Sequence, residues 1–220
     1  MSFPDLPNIP DLPHHRAENM TRQQVLDQSS ATLHAAAWAV EELEVTSATI
    51  VQLALIRWTV IECRRSTFVL QKLSSRVDGW EEWYAPRQES MRDDPLMRYF
   101  HDLRTQIEKQ GLPAAMAEVV DAETDAVIGD VSCSESSFGI HTAGAARVND
   151  DGEMPAPGEL NPENLRLRNF RLIDPPRSHA GEDLSDFRFA ALARLAINYL
   201  RSNLIQPAID DFGEEDSAEV

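Results

Sequence analysis

SATIVQLALIRWTVIECRRSTFVLQKLSSR, residues 47–76, is the stretch that decides the fold of this chain. Apolar side chains recur along it at helical spacing and cover most of the circumference of the helix that they predict. A helix that is apolar on most sides needs packing partners on most sides, so it is expected at the centre of a bundle. Its predicted apolar face consists of Ile50, Leu53, Ala54, Trp58, Ile61, Phe68 and Leu73, broadened by Val51, Leu55 and Val60.

Two other helices are predicted on the N-terminal side of the chain. One covers residues 19–45, with Thr21 as N-cap and Gln24 in the position that completes a capping box. The other begins at Asp93-Asp94-Pro95, where an aspartate cap and a proline in the first turn are typical helix starts, and it ends at Gly111.

Beyond residue 112 the apolar residues no longer recur at helical spacing and instead tend to alternate with polar ones. LRLRNFRLI, residues 165–173, alternates strictly and predicts a strand, whereas residues 149–164 form an acidic loop rich in Pro and Gly. Residues 184–210 return to helical spacing, with Pro207 expected to end or kink the helix.

The expected fold is therefore mainly α, a helical bundle with a small β-rich insertion before the last helix. The predicted divisions are a Pro-rich N-terminal arm (1–18), a helical bundle (19–112), a β-rich insertion with its acidic loop (113–183), a C-terminal helix that returns to the bundle (184–212) and an acidic tail (213–220).

Charge bounds the partners of the protein. The 220 residues include 20 basic and 37 acidic ones, a net charge of −17, so nucleic acid is possible as a partner but not favoured, and a membrane surface is not expected. The acidity is uneven, since residues 1–112 hold 12 basic and 16 acidic groups and residues 113–220 hold 8 and 21. No signal-peptide pattern and no apolar stretch of about 20 residues occurs, which predicts a cytoplasmic protein.

Catalytic and metal motifs are missing. The sequence has no Gly-rich phosphate loop, no HExxH and no GxSxG, and none of its six histidines stands three or four residues from another on a helix. We therefore expect no metal and no cofactor. A small-ligand site around Cys133 and His141 is a further alternative that rests on polarity alone.

Apolar and aromatic residues in the Pro-rich arm and after Gly79 are candidate partner contacts. Prolines at positions 4, 7, 10 and 13 predict a polyproline II arm that places Phe3 and Leu6 on one edge, either packed on its own domain or docked on a partner. Trp80, Trp83 and Tyr84 follow Gly79 and form either a cap over the bundle or a contact surface. A protein partner or a homodimer is the expected binding mode.

A local basic patch interrupts the acidic half. It consists of Arg166, Arg168 and Arg171 in the predicted strand, followed by Arg177. These side chains either pair internally with the acidic loop at 149–164 or form an anion-binding site.

RYFHDLR, residues 98–104, lies in the helix that starts at Asp93-Asp94-Pro95. It resembles the motif helix of HEPN-type helical bundles, and with the preceding WYAPRQESMRDDPLM it is similar to an uncharacterised bacterial branch of such bundle proteins. That resemblance implies a metal-independent ribonuclease or a partner in toxin–antitoxin and defence modules, with Arg104 holding the scissile phosphate. The histidine that the family places after the arginine is absent, because the positions in question are Lys109, Gln110 and Gly111.

Without that histidine, the resemblance implies a non-catalytic interaction or sensing module that acts through protein partners or self-association. The alternative is a divergent ribonuclease that uses Arg104 with His101, one turn earlier, or with Lys109. Against both stands a simpler interpretation, in which these side chains form a solvated helix face paired with acids such as Glu108.

Overall fold

A computed structural model describes residues 20–110, 115–121, 127–133 and 165–213. It begins with a hairpin of two long helices, α1 (Arg22–Val45) and α2 (Thr49–Leu70), joined by three residues. The predicted capping box at the start of α1 is confirmed: Thr21 Oγ1 accepts from the Gln24 amide at 3.2 Å, and Gln24 Oε1 accepts from the Thr21 amide at 2.8 Å. These two bonds satisfy amides that an unlinked helix start leaves without partners.

The long predicted helix at 47–76 is shorter than expected. Its α-helical part ends at Leu70, and a 3₁₀ turn, Gln71–Ser75, follows it. Such a tighter last turn is common at the end of a helix, and the chain changes direction beyond it at Gly79. Gly79 has φ 76°, a left-handed conformation that favours glycine.

The face of α2 that the sequence predicted as buried is only partly so. Leu53 and Leu73 lie in the core as expected, but Ala54, Trp58 and Phe68 are exposed. Small polar residues take the place next to α1 instead, since they allow the two backbones to approach: Ser29 Oγ on α1 donates to the Ser66 carbonyl at 2.8 Å.

Two shorter helices follow, α3 (Trp80–Asp93) and α4 (Pro95–Gln110). The predicted start of α4 is confirmed, because Asp94 Oδ1 accepts from the Met97 amide at 2.9 Å and Pro95 occupies the first position. Four side chains spaced along the inner face of α4 are buried: Leu96, Phe100, Leu103 and Ile107.

The insertion contributes a three-stranded antiparallel sheet. Its strands are β1 (Ala115–Asp121), β2 (Val127–Cys133) and β3 (Leu165–Leu172), in the order β2–β1–β3. The strict alternation predicted for residues 165–173 is broken at Asn169, whose φ of 53° coincides with a register shift between β1 and β3. The side chains that follow this bulge, Phe170 and Leu172, are buried.

The chain then returns to the helices. A small hairpin of β4 (Ser178–His179) and β5 (Glu182–Asp183) leads into α5 (Phe189–Leu200), a π-helical turn (Arg201–Ile205) and α6 (Gln206–Phe212). The π turn ends two residues before Pro207, which has no amide proton to donate to the preceding turn. The hydrogen-bond pattern of the helix therefore changes there, and the helix continues beyond the proline.

This architecture confirms the expected fold class, a mainly helical protein with small β-sheets before the last helices. The core lies between α1, α2, α4 and α5, where α5 buries Phe189, Leu192, Ala196 and Leu200. None of the helices in the described ranges is long and apolar enough to cross a membrane. The arm with Phe3 and Leu6, the acidic loop and His141 lie outside the described residues.

Candidate functional site

An open cleft of about 430 Å³ lies between α2, α3 and α4, closed at its base by α5. Its floor is apolar and consists of Val60, Met91, Met97, Phe100 and Leu200. Its polar lining consists of Cys63, Arg64, Thr67, Tyr84, Gln88, Arg92, Arg98, His101 and Asp102. The cleft thus combines an apolar interior with several cations, which is the composition of a pocket for an amphipathic ligand.

Arg64 is the most enclosed of these cations. Its guanidinium donates to Thr67 Oγ1 at 3.2 Å and lies 4.1 Å from the centroid of the Phe68 ring, while its Nε is buried without a hydrogen-bond partner. Burial lowers the pKa of Arg64; Tyr84 opposes that shift, and the positive charge of Arg104 adds to it. The charge on Arg64 is therefore held in a place where it is incompletely compensated.

The other cations stand at the rim. Arg92 and Arg98 are exposed, and neither has an ion-pair partner among the residues that the structure describes. Tyr84 lies between rim and floor, where its hydroxyl accepts a hydrogen bond from Gln71 Nε2 at 2.8 Å and keeps its own proton to donate. Burial raises the pKa of Tyr84, so the hydroxyl stays protonated at neutral pH.

Burial makes the thiol in the cleft a poor nucleophile at neutral pH. Cys63 is buried, and burial, with a contribution from Glu62, raises the pKa of its thiol to about 12. A thiol reacts as the thiolate, which is scarce at neutral pH when the pKa is this high. In the described ranges, no three His, Cys, Asp or Glu side chains lie close enough together to hold a metal ion.

The three residues predicted as catalytic candidates all lie on α4 and differ in their surroundings. Arg104 pairs with Glu108 at 2.7 Å and lies 5.7 Å from the Phe68 ring, and Lys109 is exposed near the end of α4. His101 is the only one of the three that lines the cleft. The pair of Arg104 with Glu108 is the helix-face arrangement that the simpler interpretation describes.

The aromatic residues predicted as partner contacts have a different role. Trp80 and Tyr84 are only 3% and 4% exposed, and their rings stack with centroids 5.0 Å apart. Phe212 of α6 packs on Trp80 at 5.9 Å, so these rings join the last helix to α3. Trp80 and Tyr84 are therefore not available as an exposed contact surface, which corrects that prediction.

Trp83 lies at the edge of the same cluster and is half-buried. Its Nε1 donates to Asp211 Oδ2 at 2.6 Å, and the Arg87 guanidinium lies 3.9 Å from its ring centroid. Both contacts are internal to the chain, and the bond to Asp211 holds α6 against α3.

Two arginines of the basic patch share one carboxylate of the same sheet. Glu118 on β1 accepts from Arg168 Nε at 3.2 Å and from Asn169 Nδ2 at 2.7 Å, and Arg171 lies 3.9 Å away. Internal pairing is thus present for Arg168 and Arg171, with a strand residue as the acid. The side chain of Arg166 and the loop at 149–164 lie outside what the structure describes.

A second surface feature lies on the outer side of the α1–α2 hairpin. Trp38 and Trp58 are 48% and 44% exposed and pack edge to face with centroids 5.8 Å apart. Val51, Ala54 and Phe68 are exposed on the same side of α2. We refer to these five residues as the outer face. A patch of this kind on a protein surface marks an interaction site.

Sequence reasoning missed one buried polar pair. His179 Nδ1 lies 3.0 Å from both oxygens of Asp94, and the Ala180 amide donates to Asp94 Oδ2 at 2.7 Å. Burial raises the pKa of Asp94, but the hydrogen bonds from Ala180, His179 and Met97 outweigh it and hold that pKa below its ordinary value. The only sequence signal was the cap position of Asp94, which gives no hint of a histidine 85 residues away.

The described residues are those of a mainly helical protein with a small antiparallel sheet and a cation-lined cleft. Residues 50–127, which are 78 of the 220, match the family model described as bacteriophage lambda protein ea47. The match includes the cleft-lining parts of α2, α3 and α4. No curated protein and no solved structure matches the chain.

The match corrects the resemblance to HEPN-type bundles, which is wrong. The helix that carries RYFHDLR lies within the matched residues, and the matching family is the ea47 family. The ribonuclease alternative and the expected link to toxin–antitoxin or defence modules were implied by that resemblance and lose their basis with it.

Proposed function

We propose that this protein is a non-catalytic interaction module that self-associates through the outer face of the α1–α2 hairpin. The observation that supports this most strongly is the two-sided apolar character of α2. Its inner side packs in the core, yet Trp58 and Phe68 on its outer side are each 44% exposed. A helix that is apolar on both sides is ordinarily covered on both sides.

A second copy of this chain is the occupant that fits the dimensions of the face. Helices of 24 and 22 residues are roughly 35 Å long at ~1.5 Å per residue, and two packed helices present a surface roughly 18 Å wide. If a partner covers the whole of this surface, each copy contributes about 600 Å² and the total is about 1,200 Å², the lower end of the range for stable interfaces. Aromatic residues at the centre of such a face are the usual anchors.

Charge does not oppose this arrangement strongly. The half of the chain that contains the hairpin, residues 1–112, has 12 basic and 16 acidic groups, whereas most of the excess acid lies beyond it.

The test is the molar mass of the full chain by light scattering after size exclusion. We expect a dimer for the wild type and a monomer for Trp38→Ser combined with Trp58→Ser. The matched control is Leu195→Ser, because Leu195 is also a half-exposed apolar residue, at 36%, but lies on α5 away from the outer face. The control should remain dimeric, and circular dichroism should show unchanged helix content in both variants.

A monomeric wild type would overturn the proposal, and so would a dimer that survives the double substitution. Deletion of residues 1–13 separates the other occupants. The proposed dimer should persist without the arm. If the deletion abolishes the dimer, the arm is the contact, and if it creates a dimer from a monomer, the arm covers the face of its own chain; either result contradicts the proposal.

A further inference from the structure

The cleft between α2, α3 and α4 is a concentration of positive charge in an acidic protein. Arg64, Arg92 and Arg98 line it together with a single carboxylate, Asp102, while the whole chain carries a net charge of −17. Three guanidinium groups and one carboxylate leave an excess of two positive charges there. Fixed charges of one sign in a cleft with low-dielectric walls attract a ligand of the opposite sign.

Arg64 is the cation of this cleft whose position is most firmly held. Thr67 and the Phe68 ring hold its guanidinium on the α2 wall, and its buried Nε has no hydrogen-bond partner. A buried donor without a partner is uncommon in proteins, because its lost hydration is not replaced. The enclosed Nε cannot contact a ligand itself, but an oxyanion in the cleft would supply a counter-charge to the guanidinium as a whole.

The apolar residues of the cleft indicate the size and polarity of the uncharged part of the ligand. Val60, Phe100 and Leu200 are buried residues whose side chains form an apolar floor, and Met91 and Met97 complete it. A cleft of about 430 Å³ lies within the usual range for small-molecule pockets. An inorganic ion fills only the charged rim, whereas an organic anion with an apolar or aromatic body also covers the floor.

We propose that this cleft binds a small organic phosphate monoester, with its phosphate at Arg64, Arg92 and Arg98 and its apolar body against Phe100 and the methionines. A phosphate monoester carries a charge of about −1.5 to −2 at neutral pH, which matches the excess of two positive charges. Arginine suits this role because its planar donors match phosphate oxygens two at a time. The cleft and the outer face meet at Phe68, whose ring contacts Arg64, but Trp38 and Trp58 do not line the cleft, so the two proposals are tested by different substitutions.

The test is calorimetric titration of the full chain with phenyl phosphate, which combines a phosphate with an aromatic body. We expect saturable binding with one ligand per chain. Arg98→Gln should weaken it by about tenfold or more, as expected for the loss of a charged hydrogen-bonding partner. Arg98 is exposed, so this substitution leaves the core unchanged. Arg64→Gln should weaken binding at least as much, provided that circular dichroism shows a folded protein.

Arg57→Gln is the matched control. Arg57 is an exposed arginine on α2 that does not line the cleft. Its substitution removes one positive charge, as Arg98→Gln does, and from the same helix as Arg64→Gln. It should leave the affinity unchanged within about twofold, because a charge at the surface beyond the site is screened by salt. If Arg57→Gln weakens binding as much as Arg98→Gln, the phosphate recognises diffuse surface charge and the assigned site is wrong.

Two ligand comparisons complete the test. Phenol should bind much more weakly than phenyl phosphate, because it lacks the charge, and inorganic phosphate should bind more weakly because it leaves the apolar floor uncovered. Equal affinity for phenol and phenyl phosphate would refute the role of the arginines. Equal affinity for inorganic and phenyl phosphate would refute the role of the floor, and an absence of saturable binding would overturn the site as a whole.

Discussion

Asp94 joins the start of α4 to the β4–β5 hairpin, and its removal is expected to cost much of the stability of the protein. The carboxylate accepts from the Met97 amide at 2.9 Å, from the Ala180 amide at 2.7 Å and from His179 Nδ1 at 3.0 Å. Asp94 and His179 are both buried, so water does not replace these bonds readily. The perturbation that tests this junction is Asp94→Ala.

The magnitude follows from the three donors. Loss of a helix N-cap costs about 1 kcal/mol. A buried donor that loses its acceptor costs about 1–3 kcal/mol, and His179 is such a donor. Ala180 is exposed, so the loss of the bond from its amide costs only about 0.5–1.5 kcal/mol. With the cap, the expected loss in the free energy of unfolding is about 2.5–5.5 kcal/mol, which is a large share of the 5–15 kcal/mol typical of a domain.

Urea denaturation followed by far-ultraviolet circular dichroism measures this loss, with the slope of the transition compared between proteins to confirm that the same surface is exposed. Asp93→Ala is the control, because Asp93 is the adjacent aspartate and is exposed at the end of α3. It should change the unfolding free energy by no more than about 0.5 kcal/mol. A loss below about 1 kcal/mol for Asp94→Ala, or equal losses for both variants, would refute the reasoning, since a cap alone accounts for that much.

Three further results are expected. The pKa of Asp94 is held below the unfolded-state value of about 3.9, so its ionised form stabilises the fold above that pH. This contribution is lost as the pH falls through the folded pKa, so the unfolding free energies of wild type and Asp94→Asn should converge in acid. A gap between the two proteins that stays constant with pH would contradict this. Gly181→Ala should cost about 1 kcal/mol in urea denaturation, because Gly181 has φ 85° and no neighbour within 4 Å of an added methyl group, so the backbone strain acts alone. Glu118→Ala should cost about 1 kcal/mol by the same measurement, because it removes the acceptor of Asn169 and Arg168 at the half-buried bulge of β3; an unchanged midpoint would show that these bonds contribute nothing.

The misleading motif has a physical explanation. In RYFHDLR, Tyr99 donates its hydroxyl proton to the Ile173 carbonyl at 2.7 Å, Phe100 and Leu103 lie in the core, and Arg104 pairs with Glu108. Each residue type thus has its own structural reason on an amphipathic helix. A pattern of aromatic, apolar and basic residues at helical spacing arises from packing alone, so it did not distinguish one family of bundles from another.

Periodicity predicted which segments are helical more successfully than it predicted which side of a helix is buried. Apolar residues occur on both sides of α2, and their spacing does not indicate which side is buried. Trp58 was predicted in the core and is exposed, whereas Thr59, beside it, is buried and donates its hydroxyl to the Leu55 carbonyl at 2.8 Å. The helix satisfies the buried hydroxyl internally, so a polar residue can occupy the core side at little cost.

The sequence did not predict α3, where it indicated only an aromatic cap or contact surface. By itself it determined α1, α2, α4 and the C-terminal helical segment, the starts at Thr21 and Asp94, and the mainly helical class with an inserted sheet. Those features depend on hydrogen bonds and side-chain spacings within one or two turns, which the local order of residues sets directly. Only the tertiary structure decided that His179 meets Asp94 across 85 residues, that Arg64 shares a cleft with Arg98, and that Trp58 faces outward. Such contacts depend on how separate elements pack to bury the most apolar surface, and that choice is made by the whole chain rather than by any one segment.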